Sequence, residues 1–271
     1  MTPATKQSSV RRITVTLDAS ESGRLPLETA ARLAVILGAE LEGVFVEDIN
    51  LIRLSGLPFL REVRPWSIAD EQVSSQRMQR ELRSLARRAE QMLERVARKT
   101  GVPWSFQVWQ GRPEAASLLQ AFGAEILSLG RISSRVSSRM FAPARRPTPP
   151  SRETDTTSIS VLFSGSEQAA RAVATACSLA RDMGARLTIM LPAFPAQALP
   201  ALKEQALAIL KQHGQVARFV ELAGVDAQSL KLAADAAGPG ILITEAEHPL
   251  LQQVGLDQCL DALFCPVLLI R

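Results

Sequence analysis

Residues 13–41 of this 271-residue chain, ITVTLDASESGRLPLETAARLAVILGAEL, lie without a gap over residues 159–187, ISVLFSGSEQAARAVATACSLARDMGARL, at a constant offset of 146. Identities fall at Ile13/Ile159, Val15/Val161, Ser20/Ser166, Ala30/Ala176, Leu33/Leu179, Ala34/Ala180, Gly38/Gly184, Ala39/Ala185 and Leu41/Leu187. Such self-similarity means one supersecondary unit made twice. Each copy opens with a β-rich run, 13–17 or 159–163. It passes through small residues into an Ala/Leu segment with helical apolar spacing, closed by Gly38 or Gly184. A second β-rich run follows at 41–46 or 187–191. Strand, helix and strand with short connections predict a right-handed βαβ crossover and a parallel sheet.

The pattern continues in both halves. The first predicts a long helix over 69–100, with Met78, Leu82, Leu85, Ala89, Met92 and Val96 on one stripe and Arg and Glu filling the other positions. After it come a strand at 104–110, a helix at 113–122 and a strand at 125–129. On that first strand Trp104, Phe106 and Val108 should face the core, with Trp109 on the opposite face. The second half predicts a helix at 200–213, a strand at 215–222, a helix at 226–237, a strand at 241–244, a helix at 250–263 and a fifth strand from Pro266 to Ile270. No matching last strand is visible in the first half. Its place is taken by 131–157, where six arginines alternate with Pro143, Pro147, Pro149 and Pro150, the composition of a basic linker. The resulting division is 1–130, with an insertion at 49–67, then the linker 131–157, then 158–271. The insertion is more apolar than a loop should be, which predicts burial on its own unit, between the units or against a partner.

Composition narrows the classes. Hydrophobic residues at 46% and charged residues at 21% are those of a globular chain and exclude wholesale disorder. Three cysteines with no framework spacing argue for a reducing compartment. The polar first ten residues and the lack of any apolar run of about 18 residues predict a cytoplasmic protein without stable membrane insertion. The net charge of +4 is uneven: residues 1–157 carry 23 Lys and Arg against 17 Asp and Glu, and residues 158–271 carry 8 against 10.

The opening ITVTLDAS, a strand ending in Asp, a small residue and Ser, and the ending Phe264-Cys265-Pro266-Val267-Leu268-Leu269-Ile270-Arg271 resemble the first and last strands of the universal stress protein family. The order of elements and their duplication strengthen that likeness. The resemblance implies an α/β fold of two tandem Rossmann-like units, of the adenine nucleotide alpha hydrolase-like kind, each a five-stranded parallel sheet with helices on both faces. It also implies a ligand crevice at the carboxyl ends of the strands. In the first half this would gather Asp18, Ala19, Ser20, Val46, Gly130, Arg131 and Ser133. In nucleotide-binding members the Asp sits at the nucleoside end, and a Gly-x2-Gly-x9-Gly-Ser/Thr loop gives backbone amides to the phosphates.

The chain departs from that loop. Gly130 matches its first glycine, but Ser133 stands at the second and Pro143-Ala144 at the last pair, where proline removes a donor. In the second half Ser164 replaces the Asp, and the loop reads Glu245-Ala246-Glu247-His248-Pro249, which would repel an anion. Loss of nucleotide binding is therefore expected in both halves, and no cofactor.

Several side chains have a sharp and a plain interpretation. Asp18 can bond a ribose or cap the next turn. Arg131 and Arg135 can fork a phosphate or be solvated charges. The arginines of 131–157 can meet nucleic acid or an anionic surface, but Phe141 alone is interleaved with them, and a soluble spacer is the expectation. Ser133 and its neighbours offer phosphorylation sites of no specificity. His248 beside Glu245 and Glu247 lacks the further ligands of a metal site, and Cys259 and Cys265 read as buried thiols. Trp109 can stack a base or pack under a helix. No P-loop, nucleophile elbow or Ser/His/Asp set is present.

These features predict a non-enzymatic, stress-related regulatory or adaptor protein working through protein contacts, with an ATP- or AMP-binding sensor as the alternative. A homodimer through the 266–270 strand is expected if that strand is an edge.

Overall fold

The computed structural model describes residues 12–17, 23–48, 61–62, 71–72, 75–111, 115–129, 158–193, 196–238, 240–263 and 265–271. The first half provides β1 (Arg12–Leu17), α1 (Arg24–Leu37), β2 (Glu40–Asp48), the two-residue strands β3 (Arg61–Glu62) and β4 (Glu71–Gln72), α2 (Ser75–Thr100), β5 (Trp104–Gly111), α3 (Ala115–Phe122) and β6 (Ile126–Leu129). The second half provides β7 (Ser158–Leu162), α4 (Glu167–Met183), β8 (Arg186–Pro192), α5 (Leu199–Gln212), β9 (Ala217–Leu222), α6 (Ala227–Ala237), β10 (Gly240–Glu245), α7 (Pro249–Val254), α8 (Leu256–Ala262) and β11 (Val267–Ile270).

Nine strands form one sheet in the order β5-β2-β1-β6-β11-β10-β7-β8-β9. Its pairings are parallel except one: β11 runs antiparallel to β6, with Leu129 opposite Val267 and Ile126 opposite Ile270. Each side of that seam has the same arrangement, with the first strand flanked by the second and the fourth. The repeat explains this, because both copies carry the same apolar strand faces and close their first helix the same way. Gly38 (φ 63°) and Gly184 (φ 61°) take the left-handed conformation that lets the chain turn back into the sheet.

The expectation of a dimer through 266–270 is corrected by this topology. β11 is bonded on both sides, in parallel to β10 and antiparallel to β6, and has no free edge for a second chain. The outer strands of the sheet are β5 and β9. The run Val267-Leu268-Leu269-Ile270 is buried throughout, as a strand covered on both faces must be.

Each sheet face carries a core that crosses the seam. On one face Ile13, Val15, Leu41 and Ile126 join Ile159, Val161, Ile243 and Leu268 beneath α1, α2 and α4. On the other, Leu118, Leu127 and Leu129 join Leu242, Leu250, Leu251, Cys259 and Leu269. α2 presents Met78, Leu82, Ala86, Ala89, Leu93 and Ala97 inward, with Leu85, Met92 and Val96 half-buried at the sides of the stripe.

Three details differ from the sequence expectations. α2 begins at Ser75 rather than at 69, because Glu71–Gln72 pairs antiparallel with Arg61–Glu62. The helix expected over 250–263 is two, broken at Gly255, whose φ of 94° cannot continue a helix. Val108 is 45% exposed because β5 is an edge strand, whereas Trp104 and Phe106 do pack on the core. Trp109 packs edge-on against Phe122 of α3, with ring centroids 5.6 Å apart, so its indole lies against a helix. The linker 131–157 and most of the insertion 49–67 lie outside the described residues.

Candidate functional site

In a sheet of this order the crevice opens where neighbouring strands send their chains to opposite sides, at the carboxyl ends of the first and fourth strands. In the second half these are β7 and β10. The chain leaves β7 through Phe163, Ser164 and Gly165 into Ser166, which caps α4: its Oγ accepts from the Ala169 amide at 2.9 Å, and its extended backbone (ψ 166°) is that of an N-cap. The Ser166 amide donates to Ser164 Oγ at 3.2 Å.

β10 delivers Glu245 to the same corner. Its carboxylate accepts the Ser164 hydroxyl on Oε1 and the Ser166 hydroxyl on Oε2. Glu245 is only 2% exposed. A buried carboxylate is costly unless hydrogen-bonded, and here each oxygen has a donor while the N-terminus of α4 adds a favourable dipole. The corner therefore already holds an anionic group, supplied by the chain. With its hydroxyls turned onto a buried acid and Ser166 Oγ also engaged as a cap, the cluster anchors strand to helix.

His248 follows on the same loop. Its Nδ1 accepts from the Leu250 amide at 3.1 Å and caps α7, which places the proton of the neutral ring on Nε2. The ring is 2% exposed, and Nε2 has no hydrogen-bond partner among the described residues. Burial pushes its pKa down to about 4, against the upward pull of the Glu245 carboxylate. Among the described residues no three His, Cys, Asp or Glu side chains are grouped to hold a metal ion. Burial raises the three thiols, Cys177, Cys259 and Cys265, to about 11, which leaves them as thiols at neutral pH.

In the first half, Val46 is the one expected crevice residue that the structure describes. It lies on β2 opposite Trp109 and, like Trp109 and Phe122, packs half-buried against the core cluster of Leu118, Leu127 and Leu129. Asp18, Ala19, Ser20, Gly130, Arg131 and Ser133 lie outside the described residues.

The sequence marked Ser164 and Glu245 separately as departures from a phosphate site, but not that they meet. The signal was available: two serines flanking a glycine after the first strand, and an acid ending the fourth, become neighbours in this strand order. A second buried carboxylate was missed altogether. Glu42 on β2 is 6% exposed and accepts from Thr14 Oγ1 at 2.8 Å and Gln107 Nε2 at 3.0 Å, with Arg12 at 3.4 Å. Its donors come from both neighbouring strands, and it ties three strands together rather than offering a reactive group.

No protein-family model and no curated protein matches the sequence. Solved structures do. A universal stress protein from Archaeoglobus fulgidus DSM 4304 superposes on 98% of this chain and 99% of its own at a TM-score of 0.54 and 10% identity. A protein of the universal stress protein family from Burkholderia pseudomallei covers 42% of this chain and 95% of its own, at 26% identity and a TM-score of 0.32. A universal stress protein in complex with cAMP covers 43% and 97%, at 22% and 0.36. The Archaeoglobus match extends over nearly the whole of both chains, and the chain thus has the universal stress protein fold.

Proposed function

We propose that this chain is a stress-related regulatory or adaptor protein of the universal stress protein type, cytoplasmic, acting through protein contacts without catalysis and without bound nucleotide. The observation that carries this is Glu245. Its carboxylate occupies the corner between β10 and α4, held by Ser164 and Ser166. A nucleotide phosphate would have to displace a buried, doubly bonded acid and would meet its charge. In the first half the sequence supports the same conclusion, since Ser133 and Pro143-Ala144 stand where glycines and a hydroxyl would be needed. Three buried or half-buried free thiols are in keeping with a reducing setting.

Calorimetric titration of the full chain with ATP and with AMP tests the proposal, and no binding below millimolar concentration is expected. Sub-millimolar binding that is abolished by Asp18→Ala would overturn it in favour of a nucleotide sensor using the first-half crevice of Asp18, Val46 and Gly130.

A further inference from the structure

Among the described helices, one pair differs most between the halves. α5 has 14 residues with two lysines and one glutamate, but its counterpart α2 has 26 residues with seven arginines and a lysine against three glutamates. That net +5 exceeds the +4 of the whole chain. The apolar residues of α2 are spent inward on α1, β2 and β5. Its outer face is left to Arg80, Arg83, Arg87, Arg95 and Arg98, all exposed. Arg98 pairs with Glu94 at 2.7 Å, whereas Arg83, Arg87 and Arg95 have no carboxylate partner among the described residues. From Arg80 to Arg98 the row of guanidinium groups runs about 27 Å along the helix, the reach of an extended segment of about eight residues.

We propose that the outer face of α2 is a docking surface for an acidic polypeptide segment. Guanidinium forks take carboxylates two bonds at a time, which gives such a face orientation as well as attraction. A polypeptide fits it better than nucleic acid does. Glu90 lies exposed on the same helix, and a phosphate backbone, with one charge per about 1.7 Å of duplex axis, would repel it. A polypeptide of mixed charge can meet both signs. α2 has no aromatic residue on which a base could stack. An anionic membrane is a poorer match as well, because the apolar stripe that would enter it is buried in the core.

The proposal rests on the adaptor reading and gives it a partner chemistry, but the two fail separately, since nucleotide titration decides one and the charge of α2 the other. The test is fluorescence anisotropy of a labelled glutamate-rich peptide with interspersed lysines, net negative, with the full chain at low and physiological salt. Binding that weakens with salt is expected, and Arg83→Glu, Arg87→Glu and Arg95→Glu together should weaken it at least about tenfold. Their exposed positions should leave the melting temperature in place. Serine at Arg131, Arg135, Arg139, Arg145, Arg146 and Arg152 should leave binding intact. Absence of peptide binding at low salt would overturn the proposal, as would an undiminished affinity of the α2 variant or a loss caused by the 131–152 changes instead. Tighter binding of a DNA duplex, lost in the α2 variant, would replace the polypeptide with nucleic acid.

Discussion

Replacing Leu268 by alanine tests whether the two halves stand or fall together. Leu268 is fully buried, lies opposite Ser128 of β6 on one side and Ile243 of β10 on the other, and belongs to a core cluster with members from both halves. Removing a buried leucine side chain costs about 3 kcal/mol, within a usual range of about 2–5. With a urea dependence of about 3 kcal/mol per molar, the midpoint should fall by about 1 M. The chain offers a built-in reporter, because its tryptophans, Trp66, Trp104 and Trp109, all lie in the first half and the substitution lies in the second. If the β6/β11 seam joins the halves into one cooperative body, tryptophan emission and far-ultraviolet dichroism shift together by that amount. A fluorescence transition that stays where it was, while dichroism splits off an earlier step, would refute the coupling and show two halves that unfold independently.

Other substitutions probe the second-half corner. Glu245→Ala leaves the Ser164 and Ser166 hydroxyls without their acceptor and should cost about 2 kcal/mol in thermal or urea unfolding, with Glu245→Gln less damaging. His248 is neutral in the fold down to about pH 4, against an ordinary value of 6.5, so between those values the unfolded chain binds the extra proton. Stability should therefore rise with pH across that window, by up to about 3 kcal/mol, and His248→Asn, which can still cap α7, should flatten the slope in urea midpoints measured from pH 4.5 to pH 7. The buried thiols of Cys177 and Cys259, held near 11, should react slowly with a disulfide reagent at pH 8 and rapidly in denaturant; prompt labelling of more than the half-buried Cys265 in the native chain would contradict their burial.

The elements that the sequence revealed are those whose evidence is local. The alternation of Ile13 and Val15, the Ala and Leu spacing of α1 and α4, and the glycines that close them are written within a few residues, and the repeat doubled the signal. What sequence spacing could not supply was the identity of spatial neighbours. Four consecutive apolar residues mark Val267–Ile270 as a strand, but nothing local says that it is interior or that the strand beside it is Ile126–Leu129, more than a hundred positions earlier. The same holds at the candidate site. Glu245 was legible as an obstacle to a phosphate, while the two hydroxyls that keep it in place belong to a loop some eighty residues away. Gly255, by contrast, was a local signal for a helix break that the expectation of one helix over 250–263 passed over.

The pairing of β6 with β11 also sets a timetable for the nascent chain. β6 leaves the ribosome about 140 residues before the strand that covers its open side, an interval on the order of ten seconds at ordinary elongation rates. Throughout that time Leu127 and Leu129 have no β11 beside them, and the first half cannot complete its fold in the vectorial, one-unit-at-a-time manner open to most tandem proteins. Its sequence must remain soluble with a bare strand edge until the second half has been made, which places a demand on holding factors, or on the speed of translation, that neither half would impose alone.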